Sequence, residues 1–301
     1  MLAALDATDF DLVPPPALAA RLNKRAFQLR MLPTVATEAL TVVKNPECSI
    51  AEFAAVVERD MKLATDMLKI ANSALYKPTT PIVNLHRAVI RLGLRECQYL
   101  IMTASIASLM NRMPMAQEWI REVLWRHSFT TALLAMHLNR TFHLGFQGEE
   151  FTAGLMHDFG RTLLAVVSPE QFQDVDPMTF IESTDILANE QEMIGTDHCR
   201  LGAWYAMQQQ LPAPLPEVIL MHHQPELAHE GRKLTTLVAV ADHMANHLQR
   251  FNEAEGYDVF ANPYWLDLAK FSDSHFEKQF VEIAPILMEG ALRDAEKLMS
   301  L

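Results

Sequence analysis

His157 and Asp158 stand side by side in GLMHDFGRTLLAVV, a run that is otherwise mostly apolar. A carboxylate is seldom buried without a cation or several donors, because stripping its water is costly. His127 lies in LWRHSFTTALLAMHL, where Leu124, His127, Thr131, Leu134 and Leu138 advance by three or four residues and share one inward-facing helical stripe. Asp242 lies in LTTLVAVADHMANHL on a stripe with Thr235, Val238 and Ala245, with no Lys or Arg within a helical turn. His198 opens a helical pattern in GTDHCRLGAW, and His222 and His223 close one in PLPEVILMHH. Singly, each has an ordinary reading: a core histidine bonded to a carbonyl, an aspartate in a turn, a histidine near a cap or at a helix C-terminus. Those readings do not explain why His127, His157, Asp158 and Asp242 all fall on inner faces of separate helical segments. His86, His137, His143, His229, His243, His247 and His275 read as surface or rim residues.

Imidazoles and carboxylates without a thiolate suit one or two divalent ions such as Fe, Mn, Zn or Mg. Asp158 has two oxygens and can bridge a pair, with His198, His222 and His223 completing the second ion's ligands. A metal so held can activate water and polarise a phosphoryl group.

The elements that must position these residues are helices. Helical spacing runs almost throughout, no long stretch alternates with period two, and only 10 glycines occur. The pattern predicts an all-α fold, a multi-helix bundle with an N-terminal helical subdomain over 1–112 and a C-terminal helical domain over 113–301, the boundary marked by Pro114 and its polar neighbours. Arg21, Lys24, Arg25 and Arg30 read as a solvated helix face. Ser49 and Glu52 make a capping box whose helix should reach about Asp60. Asn84 caps LHRAVIRL and Gly93 ends it. Single helices are expected over about 117–139, 149–167, 178–194, 197–210, 214–223, 233–250 and 274–299.

Composition narrows the function. A net charge of −12 opposes nucleic-acid binding and adsorption to an anionic membrane. A phosphate held by a metal is compatible with it, since a local cation outweighs a distant field. The 3 cysteines, Cys48, Cys97 and Cys199, form no CxxC pair and predict free thiols in a reducing compartment. The opening MLAALDATDFDLVPPP has no basic leader, and its Asp6, Asp9 and Asp11 break any apolar core; no signal peptide is expected. No uncharged run is long enough to span a bilayer, so a cytoplasmic protein is expected and the sequon at Asn139 is chance. There is no P-loop, no GxGxxG after a strand and no GxSxG elbow.

The order H…HD…D on separate helices resembles the HD superfamily of metal-dependent phosphohydrolases, with His127, His157, Asp158 and Asp242 at its four motif positions. His198 followed by His222-His223 is similar to the HD-GYP branch, which hydrolyses cyclic di-GMP at a multi-metal centre. Two departures weigh against that reaction: the text after the paired histidines is QPELAHEG, with no Gly-Tyr-Pro segment, and Arg161 stands where the branch has lysine. Residues 58–94, ERDMKLATDMLKIANSALYKPTTPIVNLHRAVIRLGL, resemble the signature of HDOD modules, with Met61 in place of the usual proline and Asn84 where serine is common. LWRHS, AGLMHDFGRTLL, DHCRLGAW and VILMHHQPE also look like that family, and the resemblance covers roughly 25–250. It implies an all-helical fold and a role in bacterial signal transduction.

Two functions follow. One is a signalling output or scaffold module that engages a signalling protein partner through apolar helical surfaces and keeps the metal site; with no recognisable receiver or sensor domain, it implies a separate input protein. The other is a metal-dependent phosphohydrolase acting on a nucleotide or phosphoester, a cyclic dinucleotide included, in which Asp158 bridges the metals and Arg161 grips a phosphate oxygen through its two-pronged guanidinium.

Overall fold

A computed structural model of the protein describes residues 12–25, 31–43, 45, 47–73, 76, 78–181 and 185–299. Asp6, Asp9, Asp11, Arg30 and the side chain of Arg25 lie outside the described residues. The remaining members of the basic cluster, Arg21 and Lys24, are exposed as expected. No strand occurs among the described residues, and none of the described helices is long and apolar enough to cross a membrane.

The N-terminal helices are α1 (Pro16–Arg25), α2 (Thr34–Val43), α3 (Ile50–Val57), α4 (Met61–Asn72), α5 (Leu85–Leu92) and α6 (Leu94–Arg112). Their ends follow from short polar side chains. Ser49 Oγ accepts from the amide of Glu52 at 3.1 Å, and Asn84 Oδ1 accepts from that of Arg87 at 2.8 Å. The helix expected to reach Asp60 stops at Val57, because Asp60 caps the next one, accepting from the Leu63 amide at 3.0 Å. Gly93 takes φ +87° between α5 and α6, a conformation glycine adopts without steric cost.

The longer half contains α7 (Glu118–Phe142), α8 (Glu149–Met156), α9 (Phe159–Val167), α10 (Pro169–Val175), α11 (Ile186–Ile194), α12 (His198–Gln208), α13 (Leu215–Met221), α14 (Arg232–Phe251), α15 (Trp265–Ala269) and α16 (Phe276–Met299). α7 is the axis, packed against α8, α14 and α16, while α12 lies against α9 and α13. α6 meets α8, α1 meets α9, and one buried apolar core runs through both halves.

Two expected helices are each broken. The segment expected as one helix over 149–167 turns at His157-Asp158, where Asp158 has φ −97° and ψ 14°. The turn lets α9 lie directly on the first turn of α12: a Cβ at Gly160 would stand 1.8 Å from the His198 carbonyl oxygen. Of the segment expected as one helix over 178–194, residues 178–181 are not helical, because residues 176–180 fold back over Arg161, with Met178 and Phe180 at φ 54° and 53°. A second close approach joins α8 to α7, where a Cβ on Gly154 would lie 2.7 Å from the Cα of Ala132. His243, expected at the rim, is buried on α14 with Nδ1 3.1 Å from the Tyr257 hydroxyl.

The α7–α8 turn is fastened by buried polar groups. Asn139 donates to the Phe146 carbonyl at 3.0 Å and to Glu150 Oε1 at 2.8 Å, and the Gly148 amide donates to Glu150 Oε2 at 2.8 Å. Burial pushes the Glu150 carboxyl up to about 7 despite those donors. The unfolded chain therefore releases this proton first, and Glu150 costs stability progressively as pH rises from about 4.5 to 7. Across that window, Glu150→Gln should gain on the parent by up to about 3 kcal/mol in urea-unfolding free energy; a pH-independent difference would remove this assignment. Gly160→Ala should force α9 off α12 and lower stability by at least about 1–3 kcal/mol, the usual range for overpacking, measured by the same unfolding.

Candidate metal centre

Four segments bring the first group together. His127 projects from α7, His157 caps the C-terminus of α8, Asp158 follows it at the turn, and Asp242 comes from the middle of α14. His127 Nε2 lies 3.0 Å from Asp242 Oδ1 and 3.3 Å from His157 Nε2, and His157 Nε2 lies 3.3 Å from Asp242 Oδ1. Asp158 Oδ2 stands 3.5 Å from His127 Nε2 and 3.6 Å from His157 Nε2.

The second group meets the other oxygen of the same carboxylate. His198, at the start of α12, and His222, at the end of α13, each place Nε2 3.5 Å from Asp158 Oδ1. His223 Nε2 is 3.2 Å from His198 Nε2. All seven residues singled out as ligands from the sequence thus converge on one place. Asp158 sits between the two groups, Oδ2 facing one and Oδ1 facing the other.

The outer ring nitrogens are tied down. His157 Nδ1 donates to the Gly154 carbonyl at 2.7 Å, His222 Nδ1 to the Ile219 carbonyl at 2.9 Å, and His198 Nδ1 to Glu190 Oε2 at 2.8 Å. Each bond fixes the tautomer that aims a lone pair on Nε2 inward, the arrangement common behind metal-bound histidines. His222 Nε2 is buried without a hydrogen-bond partner among the described residues, as is His127 Nδ1. With the ring neutral, a lone pair on His222 Nε2 would face a carboxylate oxygen at 3.5 Å, two acceptors opposite each other. Such a pair calls for a cation between them, and the donor set therefore fits divalent metal ions.

The electrostatics agree. Burial alone would raise the Asp158 carboxyl, but His157, Arg161, His222 and His198 outweigh it and hold it well below the usual range. Asp242 is likewise held down against burial by His127 and His157. Burial lowers His127 and His223, the latter further through His222 and His198. His222 is pushed up to about 10 against burial by Cys199 and Asp158, so that with no metal bound a proton supplies the positive charge on that ring.

Arg161, expected to grip a phosphate oxygen, is already engaged by carboxylates. Its Nε and Nη2 atoms grip Asp176 at 2.8 and 3.0 Å, and Nη1 donates to Asp158 Oδ2 at 2.8 Å. The Phe180 ring covers the guanidinium at 4.7 Å. The two-pronged edge that could have received a phosphate is filled by a carboxylate, so Arg161 is a positioning residue that orients Asp158. Beside it a cavity of about 290 Å³ opens onto Asp158, Asp242, His198 and His223, walled by Phe180, Ile181, Ile186, Asn189 and Asn246.

Three participants had no assignment from the sequence. Asp176 and Glu190 sit in polar stretches with no periodic signal that distinguishes them from surface acids. Cys199, next to His198, was within reach of sequence reasoning. Its sulfur stands close to the second group: His198, Cys199, His222 and His223 each offer a ligand atom within 4.8 Å of the others.

The family model of the HDOD domain matches residues 29–225. An uncharacterised protein of Treponema pallidum is 26% identical over 227 residues, covering 75% of this chain and 44% of its own length. The chain thus spans less than half of that curated relative. Among solved structures, an HDOD domain protein of unknown function from Geobacter sulfurreducens is 22% identical with a TM-score of 0.70, covering 91% of this chain and 96% of that one. An inferred phosphohydrolase from Shewanella amazonensis is 20% identical with a TM-score of 0.65, covering 94% and 99%. At these identities the likeness to the solved structures is one of fold.

Asp158→Ala removes the residue common to both groups. Protein purified without chelators should carry tightly bound metal by elemental analysis, and the variant should lose most of it. A variant that is folded and retains the parent's metal content would contradict the centre described above.

Proposed function

The chain belongs to the HDOD family, and on that premise we propose that it is a signal-transduction module of bacterial type whose centre holds two divalent ions and hydrolyses a small phosphoester. The observation that carries this reading is the position of Asp158, whose oxygens each face a separate set of imidazoles at 3.5–3.6 Å. His127, His157 and Asp242 would hold one ion, His198, His222 and His223 the other, with Asp158 between them. When bound, such ions supply a nucleophilic water at neutral pH and positive charge for phosphoryl oxygens.

The chain's own residues prepare the site. Gly154, Ile219 and Glu190 fix the inward direction of three imidazoles. Arg161 keeps Asp158 from rotating. Phe180 and Ile181 give the cavity an apolar wall, and the amide of Asn189 can offer a donor and an acceptor to an uncharged part of a ligand. At about 290 Å³ the cavity lies at the small end of the usual ~300–1,000 Å³ for ligand pockets. That size favours a mononucleotide or smaller phosphoester over a cyclic dinucleotide. The net charge of −12 favours a protein rather than a nucleic acid as the signalling partner.

A second reading, an output scaffold in which the ions are structural, is favoured by one observation. Among the described residues lining the cavity no lysine occurs, and its arginine is bound to Asp176. Phosphate affinity would then rest on the ions alone.

Protein loaded in turn with Mn, Fe, Zn and Mg should release phosphate from mononucleotides faster than it opens cyclic di-GMP. His157→Ala and Asp242→Ala should each lower kcat/KM by at least about 100-fold, beyond the 10–100-fold typical of losing an outer-sphere partner. A fully loaded protein that turns over none of these substrates would leave the scaffold reading.

A further inference from the structure

The second group of ligands contains a donor of a different kind from the first. Cys199 is only 3% exposed, in the first turn of α12 directly after His198. Its Sγ lies among the imidazoles of His198, His222 and His223, every ligand atom within 4.8 Å of the rest. The sulfur lies 4.0 Å from His222 Nδ1, at the outer limit for a hydrogen bond, and that nitrogen's proton already goes to the Ile219 carbonyl at 2.9 Å. The same imidazole's Nε2 is buried and without a hydrogen-bond partner among the described residues. The sulfur thus adds a fourth candidate donor to the three imidazoles of the second group. No comparable donor stands by the other group, whose members are His127, His157 and Asp158, with Asp242 beside them.

We infer that Cys199 is a metal ligand, making the His198–His222–His223 cluster a mixed imidazole–thiolate site for a zinc- or cobalt-class ion, while the Asp242 cluster takes a harder, oxygen-preferring ion. This rests on the two-ion reading given above and divides the centre by ligand softness: thiolate with imidazole selects zinc-type ions, and carboxylate-rich surroundings suit Mn, Fe or Mg. On coordination the S–H bond breaks, an S–metal bond forms, and the proton leaves to solvent. The metal is not oxidised or reduced. The centre would then be built to hold two different ions rather than a matched pair.

Cobalt(II) reports the ligand directly. Chelator-treated full-length protein is titrated with cobalt and its absorption recorded, alongside Cys199→Ser, Cys199→Ala and a Cys48→Ser, Cys97→Ala double variant. The parent and the double variant should show a near-ultraviolet thiolate-to-cobalt charge-transfer band that both Cys199 variants lack. One equivalent of zinc should bind the Cys199 variants at least about 10–100-fold more weakly, the loss expected even for an outer-sphere partner. X-ray absorption on the zinc-loaded parent should find a sulfur neighbour at about 2.3 Å, a readout that survives if the Cys199 variants do not fold. Cobalt bound with ligand-field bands but no thiolate band, or a zinc shell with no sulfur, would overturn the thiolate site and leave the two-ion reading standing. A parent that binds neither cobalt nor zinc would overturn both.

Discussion

The Asp158 carboxylate is buried, and it must be satisfied by the protein rather than by water. Each of its oxygens has a different set of neighbours, and those neighbours come from different helices. Arg161 supplies one direct donor at 2.8 Å, but the imidazoles at 3.5–3.6 Å are too distant to be direct partners. That spacing is the signature of a site arranged around something between its members. The surrounding architecture can be understood as what is needed to hold six other polar side chains around one buried carboxylate without letting them collapse together.

Helix packing sets that geometry through missing side chains. Gly154 lets α8 approach α7 closely enough to set His157 against His127, and Gly160 lets the backbone of α9 touch the carbonyl of His198. Gly202 lies against Gly160 and continues the seam between α9 and α12. Apolar burial supplies the force and the glycines fix the distance of closest approach. Behind the ligands, backbone carbonyls and Glu190 turn the rings, so precision at the centre depends on residues that never reach it.

Much of this was legible in the sequence. The fold class followed from periodicity, and most helices lie near their expected ranges. His127, His157, Asp158 and Asp242 stood out because each interrupts an apolar stripe, a signal that survives without knowing the tertiary fold. The break at His157-Asp158 was not legible, because the i, i+3, i+4 pattern reports which face is buried and continues smoothly across a change of axis. The pairing of Arg161 was not legible for a related reason: its partner Asp176 lies in a non-helical return whose path is set by packing alone. Glu190 looks like any acid on a polar helix until α11 is laid beside His198. Cys199 was masked by its ordinary use as a small buried residue.

The ligands are drawn from positions 127 to 242, on α7, the α8–α9 turn, α12, α13 and α14. No fragment of the chain that stops short of α14 contains the whole set, and no local hairpin of helices can imitate it. Assembly of the centre is therefore a late, long-range event in folding, since loop-closure entropy must be overcome before these groups meet. An ion that needs the full set would bind the finished fold and not its precursors, so its concentration would shift the folding equilibrium by mass action. Metal supply and the proportion of correctly folded chains would thereby be linked.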